Sequence, residues 1–321
     1  MQLLRLLADG AFHSGEELGV SLGVSRTAIW KQIALWRKRG LDIDVVPGRG
    51  YCLPTPIEWW SQESLLAGLS ASARASIHTL KIEERTGSTN DVALQLLQAN
   101  PVSGMVCLAE EQSAGRGRRG RQWLSPCGGN FCGSVGWVFQ GLSSVEGLSL
   151  AVGVAIVHAL QRYGMEGAQL KWPNDIVVGD AKLGGVLIEL QAEAEGLCKV
   201  VIGVGLNLRL PDSASLLLGR SVTDVSQHTS SSLRRNEIGA LLLDELLSLL
   251  RRYPSGGFAD IRETWLQHDA LRDMDVVVTG LDKELMGIAR GVDEHGALRL
   301  ETPEGMYLLH GGEVSLRKKS V

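Results

Sequence analysis

Nine residues, Gly115-Arg-Gly-Arg-Arg-Gly-Arg-Gln-Trp123, carry four guanidinium groups (Arg116, Arg118, Arg119 and Arg121) jointed by Gly115, Gly117 and Gly120. Such a loop resists closing unaided, because like charges repel and glycines lose more backbone entropy on ordering than other residues. A multiply charged anion removes the repulsion, since Arg forks match phosphate and carboxylate oxygens two at a time. The pattern therefore predicts a flap that orders around a polyphosphate or an acyl phosphate. The spacing of Gly115, Gly117 and Gly120 also fits a dinucleotide fingerprint, but Gln122-Trp-Leu-Ser-Pro126 does not open the helix that such a turn needs. A solvated charge run is the plainer alternative.

Other segments converge on similar chemistry. In Lys171-Trp-Pro-Asn-Asp175 the proline stops strand pairing and aims Asn174 and Asp175 out of the sheet, although a purely structural turn uses the same residue types. Lys182 opens an apolar run beside Gly184-Gly185, where a lysine needs an anionic partner unless it sits at an edge with its head in water. Gly203, Gly205 and Asn207 alternate and so share one strand face, whose bare backbone implies something packed against it. Ser88-Thr89-Asn90 precedes a helix and on its own reads best as a cap. Together these residues make a polar pocket, an anion-seeking loop, a lysine placed for a carboxylate, and an Asn-Asp pair able to meet Mg-nucleotide. The seven histidines do not cluster, and no Ser-His-Asp or Cys-His arrangement stands out. Activation of a carboxylate by ATP, through positioning and electrostatics without a covalent nucleophile, is the chemistry best supported.

The elements that must position these residues read as an α+β chain. Its 321 residues suffice for two or three domains, and 44% apolar with 21% charged residues is ordinary for a globular protein. A net charge of −4 argues against a broadly basic surface, so nucleic-acid binding must be local. Five scattered cysteines without a CxxC pair read as reduced thiols, not a disulfide framework or zinc site. No signal peptide is evident, and the apolar stretch Leu148–Leu160 is shorter than the about 20 residues that span a bilayer, so a cytoplasmic protein with no membrane partner is expected.

Residues 1–60 read as a separate unit. Gln2–Ala8 is a short helix; Ser14 and Glu17 form a capping box for a second, ended by Gly23; Ser25 caps a third through Arg39. Ile29, Ile33 and Trp36 face the core, and residues 25–39 carry five cations and no acid. The alternation Leu41–Leu53 around Pro47-Gly-Arg-Gly gives a hairpin with Arg49 at its tip. This is a helix-turn-helix with a wing, and Arg26, Thr27, Lys31 and Arg49 are its candidate DNA contacts, protein contact being the alternative. Past Pro54-Thr-Pro56, residues 61–270 carry helices at Ser61–Ala75, Asp91–Gln98, Leu148–Tyr163 and Arg234–Tyr253, with interleaved strands. Residues 271–321 turn to short strands, the last at Glu313–Leu316, which suggests a small barrel.

The chain resembles the bifunctional biotin protein ligases, the biotin-operon repressors of bacteria. The resemblance rests on Ser88-Thr89-Asn90, Gln112 with Gly115–Gly120, Trp123, Lys171–Asp175, Lys182-Leu-Gly-Gly185, Gly203-x-Gly205-x-Asn207, Pro47–Tyr51 and Gly311–Leu316, and covers nearly the whole chain. It implies a winged helix, a central mixed-sheet domain of the biotin/lipoate ligase type, and a C-terminal SH3-like barrel. It also implies that biotin and Mg-ATP give biotinyl-5′-adenylate, which a lysine of the biotin carboxyl carrier protein of acetyl-CoA carboxylase then attacks. By the same likeness Ser88, Thr89, Asn90, Gln112 and the backbone of Gly115, Arg116 and Gly117 hold the ureido ring. Arg118 closes over the adenylate and Lys182 stabilises the carboxylate. Arg121, Asn174, Asp175 and Asn207 handle phosphates, ribose or Mg²⁺, the last near Asp175, and Trp123 joins them in binding the adenylate. The family's adenylate-bound form dimerises on operator DNA. Two departures stand out: Gln122 replaces a frequent lysine, and residues 220–224, Arg-Ser-Val-Thr-Asp, lack the tryptophan that packs adenine in the best-known repressors. A ligand-sensing repressor without turnover and a lipoate- or octanoate-handling relative are the competing readings.

Overall fold

The computed structural model describes residues 1–141, 145–192, 196–230, 232–280, 284–311 and 314–318. The first unit comprises α1 (Gln2–Leu7), α2 (Gly15–Leu22), α3 (Arg26–Lys38), β1 (Asp44–Val46) and β2 (Gly50–Cys52). Its ends are set locally. Ser14 Oγ accepts from Glu17 N at 3.1 Å while the Glu17 carboxylate accepts from Ser14 N at 2.9 Å, closing the expected box, and Gly23 ends α2 in the left-handed region. Ser25 caps α3. Ile29, Ile33 and Trp36 then bury against Leu3, Leu4, Leu7, Leu18 and Ile43. Cys127, from far along the chain, completes that core.

Where one helix was expected over Ser61–Ala75, there are two, α4 (Gln62–Ala67) and α5 (Ala71–Ala75). A side chain at Gly68 would collide with the Ala240 methyl, and Ser70 is captured by Asp244 through both its N–H (2.9 Å) and hydroxyl (2.6 Å). Tertiary contact overrides local propensity there.

The middle of the chain is built on a seven-stranded sheet. In chain order it contains β3 (Thr79–Glu83), α6 (Thr89–Ala99), β4 (Met105–Ala109), β5 (Asn130–Gln140), α7 (Leu148–Arg162), β6 (Gln169–Lys171), β7 (Asp175–Val178), β8 (Ala181–Ala192) and β9 (Leu197–Asn207). The strand order is β3-β4-β5-β9-β8-β7-β6, with β3 and β4 parallel and the other neighbours antiparallel. Two short helical elements that sequence periodicity misses, α8 (Ala214–Leu218) and α10 (Arg262–Gln267), flank the long α9 (Arg235–Gly256).

Strand alternation divides the sheet's two faces. Val200, Ile202, Val204 and Leu206 of β9 join the core under α7 and α9, whereas Val201 packs under α6 with Ala93 and Leu97. Gly203 and Gly205 share the α6 face.

The C-terminal strands β10 (Asp275–Thr279), β11 (Leu285–Val292), β12 (Leu298–Thr302), β13 (Gly305–Leu309) and β14 (Ser315–Lys318) form one antiparallel sheet ordered β13-β12-β11-β10-β14. The expected barrel is thus left open: β13 and β14 do not pair among the described residues. Beyond β13, Gly311 stands against Pro173 of the seven-stranded sheet's domain instead. Gly312 and Glu313, where the last strand was expected to begin, lie outside the described residues. Val276, Val278, Leu298 and Leu300 share a continuous core with α7, α9 and Trp265.

Asp269 sits at the joint between the two sheets, bridged to Leu170 of β6. Burial pushes its carboxyl up to about 6 from the usual 3.8, although it accepts from Leu271 N. The folded state therefore holds this proton between pH 3.8 and about 6 while the unfolded state releases it, so stability falls as pH rises through that window. Asp269→Asn keeps the acceptor and removes the charge. Denaturant melts should show it more stable than the parent by about 1–3 kcal/mol at pH 8, and no different at pH 3.5.

Candidate functional site

A cleft on the α6 face of the sheet gathers most of the predicted residues. Ser88, Thr89, Asn90, Gln112, Arg116, Gly117, Arg118, Arg121, Trp123, Asn174, Asp175 and Lys182 all line it, over a floor that includes Gly203 and Gly205. It encloses about 640 Å³ including the space at its open mouth, within the range usual for small-molecule sites. Both glycines are required by close approach. A Cβ at Gly203 would stand 2.3 Å from Asn90 Oδ1, and one at Gly205 would stand 2.6 Å from the Trp123 ring.

The Ser88 side chain does not cap α6. Gln112 does the capping: its Oε1 accepts from Thr89 N at 2.7 Å and from Thr89 Oγ1 at 3.0 Å. Thr89 and Asn90 are thereby buried in the first helical turn. Two residues without a sequence signal complete this end. Ser134 Oγ lies 2.7 Å from Thr89 Oγ1 and 2.6 Å from Asn90 Oδ1, and Glu189 accepts from Asn90 Nδ2 at 2.6 Å. The result is a dense array of amide and hydroxyl groups, suited to a neutral ligand with its own N–H and C=O groups.

The Arg flap roofs the cleft. Arg119 and Gly120 turn it back with φ +60° and +69°, the left-handed region glycine enters freely. Gly117 N then donates to Arg121 O at 2.6 Å and Trp123 N to Gly115 O at 2.9 Å. Each arginine has its own task. Arg116 forks onto Asp91 at 2.7 and 2.9 Å and reaches Glu189 at 3.3 Å, holding the Asp91 carboxyl below its ordinary range. Arg118 crosses the cleft to Asn174 Oδ1 (3.2 Å) and to the carbonyls of Gly311 and Val314, and Arg119 meets Ser315 Oγ at 3.3 Å. The flap is thus latched to the C-terminal sheet's last connection. Burial lowers the Arg118 guanidinium from its usual value, with Asp175 resisting.

Lys182, second residue of β8, is ion-paired with Asp175 across the β7–β8 hairpin. The anionic partner its apolar setting calls for is present. Its ammonium stands 5.9 Å from the Trp123 ring centre. Burial pulls that ammonium below the usual lysine range, Asp175 opposes the shift, and nearby Arg220 and Arg121 add to it. Asn174 donates to Val186 O at 2.6 Å, which fixes the turn after the cis Trp172–Pro173 peptide.

Asn207 and Gly115 are not in the lining. Asn207 is buried behind it, donating to Thr223 O at 3.0 Å and to Lys182 O at 3.4 Å. It therefore props the strap Ser221–Thr223, which pairs with Lys182 through Lys182 N to Ser221 O and Thr223 N to Lys182 O. That strap brings Arg220 into the cleft, a cation where the resemblance led one to look for a tryptophan. Among the described residues Asp175 is the sole carboxylate in the lining, and no group of three metal-ligating side chains occurs.

The second candidate surface is on the first unit. Arg26, Thr27 and Lys31 are exposed on α3, and Arg49 is exposed at the wing tip with its guanidinium 4.2 Å above the Phe12 ring. The two sites are joined through Glu111. This residue precedes Gln112 in the chain and pairs with Arg39, the residue capping α3, at 3.7 Å.

Comparison with known proteins identifies the domains that carry these two surfaces. Residues 82–207 match the biotin/lipoate A/B protein ligase family, residues 1–52 an HTH domain, and residues 275–317 the biotin protein ligase C terminal domain. The chain is 37% identical over 318 residues to the bifunctional ligase/repressor BirA of Escherichia coli, spanning 99% of this chain and 97% of that protein. It is 35% identical over 236 residues to the biotin–[acetyl-CoA-carboxylase] ligase of Paracoccus denitrificans, covering 72% of this chain and 97% of that one. The biotin protein ligase of Aquifex aeolicus, solved in complex with biotin and ATP, superposes with a TM-score of 0.64 at 25% identity, over 76% of this chain and all of that one. With a ligase cleft, a helix-turn-helix and a relative matched almost end to end, this chain belongs to the family of bifunctional biotin ligase/repressors.

Proposed function

We propose that the chain activates biotin with ATP, passes it to a lysine of an acceptor protein, and represses transcription through its first unit in response to the activated ligand. The observation that carries this reading is the cleft itself: a buried lysine, paired with one carboxylate, beneath a flap of arginines. In the first step a carboxylate oxygen of biotin attacks the α-phosphorus of ATP, and the bond to pyrophosphate breaks. In the second, a neutral lysine amine attacks the acyl carbon, AMP leaves, and the amine loses a proton.

The residues divide accordingly. Ser88, Thr89, Asn90, Gln112 and the backbone of Arg116 and Gly117 take the ureido ring, whose N–H and C=O groups match that polar array, with Gly115 behind them shaping the loop. Lys182 exchanges Asp175 for the incoming carboxylate, which frees Asp175 to face the nucleotide. Arg118 and Arg121 neutralise charge on the phosphates, with Asn174 holding Arg118 in place, and Trp123 walls the same end. Asn207 acts from behind, by fixing the strap on Lys182. Asp175 would be the carboxylate available to Mg²⁺, which would supply further charge neutralisation on the nucleotide.

The acceptor is the biotin carboxyl carrier protein of acetyl-CoA carboxylase, the carboxylase named in a relative's activity. Operator DNA is bound by homodimers of the adenylate-loaded chain in the cytoplasm; no described helix is long and apolar enough to cross a membrane. Working units of 1–60, 61–270 and 271–321 fit this division of labour. The test is ATP–pyrophosphate exchange: exchange that requires biotin is expected. Ligand-dependent DNA binding without exchange would instead show a sensor that does not turn over.

A further inference from the structure

The proposed DNA surface contains a residue that charge does not explain. Trp30 of α3 is 58% exposed, though large aromatics usually bury most of their surface. Its sequence neighbours explain nothing structurally, because the core is made by Ile29, Ile33 and Trp36 on another side of the helix. Helical spacing places Arg26, Trp30, Ala34 and Arg37 in one row (i, i+4, i+8, i+11), and all four are exposed. Thr27 and Lys31, also exposed, adjoin that row. The helix carries Arg26, Lys31, Arg37 and Lys38 and no acid. An apolar strip bounded by cations suits a groove walled by phosphates better than an apolar protein surface.

We propose that Trp30 reads sequence in the major groove, its indole packing on the C5-methyl groups of thymines while the flanking cations hold the phosphates. The thymine methyl is the apolar group a base pair presents in that groove, so an indole there distinguishes thymine from the other bases by contact rather than charge. Arg26, Lys31 and Arg37 then supply affinity without sequence preference. This inference rests on the chain's binding DNA as a repressor and names the determinant of its specificity.

The experiment starts from duplexes selected from a random pool by the full chain with biotin and ATP. Binding is measured on the selected duplex and on the same duplex with each thymine replaced in turn by uracil, which removes only the methyl. The parent should lose about 5- to 10-fold in affinity at one or two thymines per half-site. Trp30→Ala should bind the unsubstituted duplex as weakly as the parent binds the uracil version, and should no longer respond to uracil. Its dependence on salt concentration should be unchanged, since no phosphate contact is lost. Trp30→Phe should recover part of the discrimination, and melting curves of both variants should match the parent because the side chain is exposed.

Uracil discrimination that persists in Trp30→Ala, or is absent from the parent, overturns the assignment. So does a parent-like binding profile together with a changed sedimentation mass, which would give Trp30 to contact between copies. Selection that enriches no sequence at all removes the DNA-binding reading itself, and the inference with it.

Discussion

Lys182→Ala is expected to lower biotin-dependent pyrophosphate exchange by about 10³-fold, the scale on which removal of a preorganised charge-stabilising donor acts. Two features make the effect this large. The ammonium is only partly exposed, so its field is less screened than at the open surface, and no other described cation occupies its place at the mouth of the β7–β8 hairpin. Arg220 and Arg121 are near, but arginine cannot give up a proton or follow the carboxylate through the reaction as a compact ammonium does. The variant leaves Asp175 without its partner at a partly exposed site, so thermal melts should shift modestly while activity collapses. A pH profile separates charge from packing. Because burial already pulls the Lys182 ammonium below its usual range and Asp175 resists that pull, Asp175→Asn should move the alkaline limb of exchange to still lower pH. Exchange within tenfold of the parent in Lys182→Ala would sink the assignment of this lysine to the reacting carboxylate.

Arg118→Gly should separate synthesis of the adenylate from its retention. Arg118 bonds Asn174 on one side of the cleft and the Gly311 and Val314 carbonyls on the other, and so holds the roof to both walls. Hydrogen bonds from a charged donor contribute about 1.5–3 kcal/mol each, so losing them should raise the open population of the flap by about 10²-fold. The mixed anhydride then escapes before an acceptor arrives. Biotin should appear on lysines of an unrelated protein added to the assay, such as serum albumin, read by streptavidin blot and by mass spectrometry. Arg119→Ala, which cuts only the Ser315 contact, should leak less. Bystander labelling equal to that of the parent would show that the flap does not guard the intermediate.

How much of this was legible in the sequence follows from the range of the interactions. The capping box of Ser14 and Glu17 and the alternation of Gly203 and Gly205 depend on neighbours a few residues away, and both appear as read. The break at Gly68 depends on Ala240 and Asp244, more than 170 residues on, and no local pattern announces it. The same holds within the site. Ser88-Thr89-Asn90 looks like a cap, yet the cap comes from Gln112, and the array is completed by Ser134 and Glu189, which look like ordinary strand residues. Asn207 lies on the predicted face but is buried outside the cleft lining, behind the strap it supports. The small barrel was read from strand count, whereas its closure depends on where the β13–β14 connection goes, and that connection serves the Arg flap.

The contact of Glu111 with Arg39, together with the thiol of Cys127, buried in the first unit's core and 3.8 Å from the Met1 sulfur, has a consequence for how this chain is divided. Amputating the first sixty residues would disturb the ligase half as well. It would wet a sulfhydryl that burial now holds unreactive, its proton kept up to about 12, and strip the Glu111 carboxylate of one counter-ion right beside Gln112, the residue that caps α6. Repressor and catalyst share a seam, and damage to one side of it is felt on the other.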